Sequence, residues 1–465
     1  MQIAQKQEIP FIILYIYEPT LMEGPDVDIR HLRFIHHSIK EMNRYLENEG
    51  GSVHECYGEV EEVIDHIKEK HNISNIFSYE EHGTMRTWER DKRVKSYFMS
   101  NRITWKECSN PGVQRGIQDR DGWDRRWFKE MNKSIIDNQI TNVGSIEISP
   151  KTSLPKEFKE ALEEYPQGMQ PAGTSYALSY LSSFMEERGK DFNKYISKPL
   201  HSRKSCSRLS PYLAWGNISS RQVYQKVRNH PNYQNHKRAF NSFLNRLKWR
   251  SHFIQKFEVE CEYETRCINR GYESLQRSNS EIFLEKWKQG KTGFPLVDAC
   301  MRCVKETGWI NFRMRAMLVS FLCHHLDVDW RLGTYHLARQ FLDYEPGIHY
   351  PQFQMQAGTT GTNTIRMYNP VKQSQDHDPE GIFIRNWIPE FSSIPSEFIH
   401  MPWEMSKMEQ QLYGIALGKD YPHPIVDHQE AAALARDKIW GHRSDPVVKK
   451  ESKRILKMHT RNKSM

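Results

Sequence analysis

The sequence predicts an α/β domain built on a doubly wound parallel sheet, followed by a larger all-α domain. Three observations carry this. Up to Cys108, apolar runs alternate with amphipathic stretches of helical period, the pattern of βαβ units with right-handed crossovers. Periodicity then fails, and Pro150, Pro155, Pro166 and Pro171, with Gly144, Gly168 and Gly173, punctuate a long connection. Beyond it, strand-type alternation nearly vanishes and helical spacing takes over. The boundaries expected are 1–133 for the α/β domain, 134–172 for the connection, 173–440 for the helical domain and 441–465 for a basic tail.

In chain order, Pro10-Phe-Ile-Ile-Leu-Tyr-Ile-Tyr is a continuous apolar run, which suits a parallel strand buried on both faces. A helix from His31 to Glu49 ends at Gly50-Gly51, where glycine relieves the left-handed closing turn. Ser52–Tyr57 reads as a strand, Val60–Lys70 as a helix, Asn75–Ser78 as a short strand, Arg86–Ser100 as a charged helix and Ile103–Cys108 as one more strand. A doubly wound sheet ordinarily places its first strand in the middle. Entry almost directly on a fully buried strand therefore predicts an incomplete sheet, its first strand missing.

The helices expected after the connection are Ser175–Arg188, Ser220–Asn229, His236–Phe257, Ser280–Gln289, Pro295–Glu306, Phe312–His325 and Thr334–Leu342. The stretch Lys291–Asn369 organises them. Pro295 suits a first helical turn, and Phe294, Val297, Met301 and Val304 recur at helical spacing. In the next helix Arg313 and Arg315 lead the apolar run Ala316–Leu322, carrying guanidinium groups towards the interior. A buried arginine needs an acceptor or an anionic ligand, so either an ion pair closes the core or an anionic or redox cofactor binds there.

Composition narrows the classes. Of 465 residues, 38% are hydrophobic, enough for sizeable cores. The 66 Lys and Arg against 58 Asp and Glu leave a net charge of +8, which favours anionic partners. Part of the excess lies in Lys449, Lys450, Lys453, Arg454, Lys457, Arg461 and Lys463, read as a solvated tail in preference to a binding arm. No apolar run reaches the length of about 18 residues that a membrane span needs, and no signal-peptide order opens the chain, so a cytoplasmic protein without membrane contact is expected. The 8 cysteines lack disulfide spacing. Cys300 and Cys303 fall inside a buried helix and read as small hydrophobes, with no metal site expected; Cys261, Cys267 and Cys323 beside His324 and His325 add only a faint metal signal.

Lys204-Ser-Cys-Ser-Arg-Leu-Ser-Pro-Tyr-Leu places hydroxyls and an arginine just ahead of a helix, which makes either a phosphate site or a plain helix cap. Trp249-Arg250 and Trp309 are aromatic and basic groups that either pack the core or line a cleft for an extruded base.

The helical domain resembles the DNA photolyase and cryptochrome family of flavoproteins. The resemblance rests on Ser207-Arg-Leu-Ser-Pro-Tyr-Leu, Trp249-Arg250, Gly290-Lys-Thr-Gly-Phe-Pro-Leu-Val-Asp-Ala, Thr307-Gly-Trp, Arg313 and Arg315, Asp329-Trp-Arg, Asn369-Pro370, Asp378-Pro-Glu-Gly and Tyr421-Pro-His-Pro-Ile-Val-Asp. From Leu14-Tyr-Ile-Tyr-Glu-Pro onward the first domain resembles the family's antenna domain, without its opening strand, so an incomplete Rossmann-like sheet and a truncated start are implied.

The resemblance implies FAD in the helical domain. Ser207, Arg208, Leu209 and Ser210 would face the diphosphate with Tyr195 nearby, and Arg315 would pair with Asp343 beside the flavin ring. Arg313, Glu345 and His349 complete the cofactor set, and His349 falls where the residue facing flavin N5 is expected. A second, antenna chromophore, a folate or a deazaflavin, is possible; Glu81, His82 and Glu89 lie where the family contacts it. The implied activity is light-driven repair of pyrimidine dimers in damaged DNA by a monomer, with Trp249 and Arg250 in the DNA cleft and Trp330 in an electron-transfer chain.

Departures from the family pattern qualify that activity. Arg246 stands where a carboxylate is usual, Phe312 where an asparagine is usual, and Met355 and Phe353 where tryptophans are usual. The outer tryptophan of the chain falls near Arg277, leaving Tyr335, Tyr344 or Tyr350 as substitutes. The histidine pair of the (6-4) branch is missing at Asn311-Phe312, so cyclobutane dimers are the expected lesion. The alternative is a cryptochrome-like blue-light sensor that binds FAD without repair.

Overall fold

The computed structural model describes residues 1–48, 50–136, 138 and 150–459. Its first part runs β1 (Ile13–Tyr17), α1 (Ile29–Glu47), β2 (Val53–Tyr57), α2 (Val60–Lys68), β3 (Asn75–Tyr79), α3 (Met85–Ser100) and β4 (Thr104–Cys108). Each strand falls where the sequence predicts one, and α1 is capped by Asp28, whose carboxylate accepts from the Arg30 amide at 3.0 Å.

The strands are parallel, as the crossovers require, but they form two sheets and not one. β1 pairs only with β2, and β3 only with β4. Among the described residues no strand joins β1 to β3. This corrects the expectation that β1 is buried on both faces: Ile13, Leu14, Tyr15 and Ile16 are half-buried, because one edge of β1 has no strand beside it. Leu14 and Ile16 from one sheet and Ile76 and Trp105 from the other cover the same apolar layer of Val60, Val63, Ile64, Val94 and Phe98.

Within the connection α4 (Lys156–Glu163) packs on α1, and Arg33 donates to the Ala161 carbonyl at 2.7 Å. Gly144 lies outside the described residues.

The helical domain follows with α5 (Thr174–Glu186), α6 (Ser210–Ala214), α7 (Ser220–Asn229), α8 (Lys237–Val259), α9 (Glu281–Gln289), α10 (Pro295–Thr307), α11 (Phe312–Ser320), α12 (Trp330–Gln340) and α13 (Pro346–Ala357). The expected helix 312–325 loses its α pitch after Ser320 and ends in a π-helical turn over Phe321–His325. α10 and α11 form the centre of the largest apolar cluster, with Val297, Val304, Met314 and Leu318 fully buried.

Asp298 on α10 shows how the organising stretch is closed. Its carboxylate accepts from the Thr292 amide at 2.8 Å, the Gly293 amide at 3.0 Å and the Tyr421 hydroxyl at 2.5 Å. Gly293 has φ +82°, and a Cβ there would lie 2.4 Å from the His423 carbonyl oxygen. The Tyr421-Pro-His-Pro segment thus lies directly on the Gly293 turn, a contact only glycine permits.

The basic stretch expected as a solvated tail is instead largely helical: α14 (His428–Arg443) and α15 (Pro446–His459) carry it. Val448, Ile455 and His459 are buried, and Arg454 bonds Glu260 at 2.6 Å, while Lys449, Lys450, Lys453 and Lys457 remain exposed. Arg461 and Lys463 lie outside the described residues. No helix of the described residues is long and apolar enough to cross a membrane.

Candidate functional site

Arg315 leaves the buried face of α11 one turn from its start. Its Nη1 and Nη2 each lie 2.9 Å from the two oxygens of Asp343, its Nε donates to the Ile310 carbonyl at 2.8 Å, and the guanidinium covers the Phe341 ring at 4.1 Å. Two-point pairing fixes the plane of the guanidinium, so the pair is a rigid polar edge on an apolar wall. It opens on a cavity of about 250 Å³ whose walls include Ser210, Trp309, Ala316, Val319, His349 and Phe353. Burial lowers the His349 ring to about 4, and its Nε2 lies 2.9 Å from the Thr334 carbonyl, so the ring is neutral and donates there.

Behind Ser210 lies a group of arginines that pair with no carboxylate among the described residues, although Asp343 is near enough to be felt at Arg208. Arg208 is buried in the left-handed region at φ +61°, donates from Nε to Gln170 Oε1 at 2.9 Å and lies 4.0 Å over the Trp309 ring. Burial, reinforced by Arg203, lowers its guanidinium to about 10. Arg203 reaches the Thr307 hydroxyl and the Trp309 carbonyl, and Arg188 reaches the carbonyls of Tyr180, Lys204 and Cys206. Exposed Arg246 on α8 adds a fourth positive charge to this group, felt at Cys206. Among the described residues none of the four forms an ion pair. A buried, uncompensated guanidinium is costly alone and is neutralised by an anion.

These residues fit FAD. The aromatic cavity suits a flat ring, the arginine group suits a diphosphate, and Gln352 Oε1 in the cavity wall, like Asn311 Oδ1 and Ser205 Oγ nearby, is buried without a protein partner. Ser207 is buried with its hydroxyl accepting weakly from the Leu209 amide at 3.4 Å, and Leu209 precedes α6.

The expected residues divide. Ser210, Arg315, Asp343 and His349 line one cavity, and Ser207, Arg208 and Leu209 stand beside it. Tyr195 instead stacks on His201 at 4.7 Å, and Arg313 covers Tyr368 at 5.5 Å. Arg250 and Glu345 pair at 2.6 Å on a different opening, an interdomain crevice of about 770 Å³ between β1, α1 and the Leu213–Ser220 turn. Glu81 and His82 also line that crevice; His82 is buried against Glu258 at 2.8 Å, and Glu89 is exposed away from it. Trp249 is 51% exposed on α8, and Trp330 is buried under the Arg331 guanidinium at 4.8 Å.

Sequence reasoning missed Gln170 and Gln352. Gln170 comes from the connection and holds Arg208 twice, its Nε2 also donating to the Arg208 carbonyl at 2.9 Å. No local pattern marks such a residue; only the excess of proline and glycine around it signalled a segment wrapped along a surface.

Two family models match the chain: the FAD binding domain of DNA photolyase over residues 243–441, and DNA photolyase over residues 1–113. A deoxyribodipyrimidine photo-lyase of Alkalihalophilus pseudofirmus is 33% identical over 312 residues, 66% of this chain and 64% of that protein's length. A cryptochrome DASH of Synechocystis is 27% identical over 426 residues, covering 87% of this chain and 86% of the relative. Among solved structures, a class III photolyase of Agrobacterium tumefaciens superimposes with a TM-score of 0.82 at 22% identity, covering 96% of this chain and 94% of its own. An archaeal photolyase of Sulfolobus tokodaii solved with two FAD molecules reaches 0.76 at 25% identity, covering 94% of each chain.

Proposed function

Because the chain belongs to the DNA photolyase and cryptochrome family of FAD-binding proteins, we propose that it is a photolyase-like enzyme that splits pyrimidine dimers in DNA under blue light, cyclobutane dimers and not (6-4) products. The observation that carries this is the arginine group without ion pairs beside an aromatic-walled cavity edged by Arg315 and Asp343. When bound, FAD supplies the photochemistry, donating an electron to the dimer and taking it back.

The chain's own residues hold, orient and shield. Arg208 and Arg203, with the Ser207 and Ser210 hydroxyls, neutralise the diphosphate. The Arg315–Asp343 pair sets a positive group against the ring, which favours its reduced anionic form because a buried negative charge needs compensation. Ala316, Val319 and Phe353 keep water from that face. At the cavity mouth Phe312, 43% exposed, offers an apolar plane on which a flipped base stacks, with Trp249 and Arg246 on neighbouring α8 for base and backbone. The preference for cyclobutane dimers rests on the Asn311-Phe312 pair, which contains no histidine to act as proton donor. The interdomain crevice with Glu81 and His82 is the place we assign to a second chromophore.

A cryptochrome-like sensor is the second reading, favoured by one observation: Arg246, where repair enzymes carry a carboxylate, cannot accept a hydrogen bond from thymine. Purified protein is expected to release FAD on denaturation. With chemically reduced flavin it is then expected to lower the dimer content of irradiated DNA in light and not in darkness. Flavin without any dimer loss leaves the sensor; absence of flavin overturns both readings.

A further inference from the structure

From His349 in the cavity wall a row of aromatic rings continues that includes three phenols. His349 lines the cavity and contacts Tyr344 and Tyr350 with ring centroids 5.3 and 5.5 Å away. Tyr350 in turn contacts Tyr335 at 6.4 Å and stacks on Phe257 at 5.8 Å. Each phenol in the row has an oxygen partner. The Tyr344 hydroxyl lies 2.6 Å from Asp26 Oδ2 and 3.1 Å from the Tyr350 hydroxyl, and the half-buried Tyr335 hydroxyl lies 3.4 Å from Glu264 Oε1. Trp330, by contrast, touches no other aromatic ring among the described residues, and the Arg331 guanidinium over its face opposes the positive charge that oxidation would leave there.

Resting on the reading that FAD occupies the cavity, we propose that Tyr344 is the electron donor that re-reduces the light-excited oxidised flavin, with Asp26 as its proton acceptor and Tyr350 and Tyr335 as the route to the surface. A phenol loses an electron easily only if its proton leaves as well, and the Asp26 carboxylate is within reach of that proton. One electron passes from Tyr344 across the His349 contact to the flavin, and the phenolic proton moves to Asp26 Oδ2, leaving a neutral tyrosyl radical. Tyr350 exchanges an electron and its hydroxyl proton with Tyr344 over their direct contact. Tyr335 then yields an electron inward and its proton to Glu264, while Asp26 returns its proton to the Tyr344–Tyr350 pair. An exogenous thiol gives Tyr335 a hydrogen atom and is itself oxidised, and Glu264 releases its proton to water. Asp26 belongs to the N-terminal domain, so the donor is complete only when the two domains are docked.

The test uses the flavin-loaded protein, freeze-quenched after a blue-light pulse without oxygen, and read by electron paramagnetic resonance with ring-deuterated tyrosine. A tyrosyl signal that narrows on deuteration is expected in the parent protein and is expected to be lost in Tyr344→Phe and in Asp26→Asn, with flavin content unchanged in both. Tyr335→Phe is expected to keep the signal but lose its quenching by thiol. A tyrosyl signal that survives in Tyr344→Phe overturns the relay, as does flavin photoreduction that is lost in Trp330→Phe and kept in Tyr344→Phe. Dimer repair with dithionite-reduced flavin, run in parallel, bypasses the relay. Repair with no tyrosyl signal therefore sinks the relay alone, whereas protein without flavin sinks the relay and the proposed function together.

Discussion

In the N-terminal domain Glu18 closes β1 with one carboxylate oxygen buried and unpartnered, while in the helical domain the half-buried Glu260 receives His459 at 2.6 Å, Arg454 at 2.6 Å and the Tyr263 hydroxyl. Burial raises Glu18 to about 7, only partly opposed by Arg90, and burial likewise raises Asp91 to about 6. At Glu260 burial also acts upward, but the bonds from His459, Tyr263 and Arg454 outweigh it and bring the group to about 2. The same side chain is stranded in one domain and satisfied in the other. The difference goes with the sheets: among the described residues β1 and β3 each leave an edge without a strand, and Glu18 at the end of β1 has too few partners, whereas the helices close on one another.

Leu318→Ala, at a fully buried position of α11, is expected to cost about 4 kcal/mol, and Leu14→Ala on half-buried β1 about 1 kcal/mol, because the cost of a cavity scales with how little the site can collapse. Urea unfolding of both variants checks this; equal losses would break the comparison. Arg315→Ala leaves Asp343 buried without its partner and is expected to cost about 3 kcal/mol and to release FAD, read by unfolding and by the flavin absorbance retained after gel filtration.

The two carboxylates give opposite pH slopes. The folded state binds fewer protons at Glu260 than the unfolded state, so its contribution is present above pH 4.5 and lost as pH falls towards about 2. Glu260→Gln is expected to cost about 2 kcal/mol at neutral pH and to flatten that acid slope. At Glu18 the folded state binds more protons, so stability falls as pH rises from 4.5 through about 7. Glu18→Gln is expected to gain on the order of 1 kcal/mol at pH 8 and to remove the slope. Unfolding midpoints measured from pH 2 to pH 8 decide both; parallel slopes in the variants and the parent would show that the two domains do not differ.

Much of the fold was legible because its signals are local. Apolar runs and Gly or Pro punctuation placed the strands and most helices within a few residues, and Pro295 marked the first turn of the central helix. The burial of β1 was misread because its apolar run is the same whether or not a neighbouring strand covers the edge. The basic stretch after 441 was misread because charge alone does not reveal that Val448, Ile455 and His459 face a core. In the site, the paired hydroxyls and Arg208 were visible as either a cap or a phosphate site, and the lack of an ion pair to these arginines among the described residues favours the latter.

The sequence alone determined the element types, the order of an α/β domain before a helical one, and the residue classes of the pocket, because periodicity, turn chemistry and motif spacing act over a few residues. Tertiary structure decided which of those residues meet. Gln170 reaches Arg208 across 38 positions, Arg250 turns to Glu345 across 95, and Asp26 reaches Tyr344 across 318. Such contacts depend on where helices dock, and docking is settled by the summed burial of many side chains, a quantity no single stretch of sequence contains.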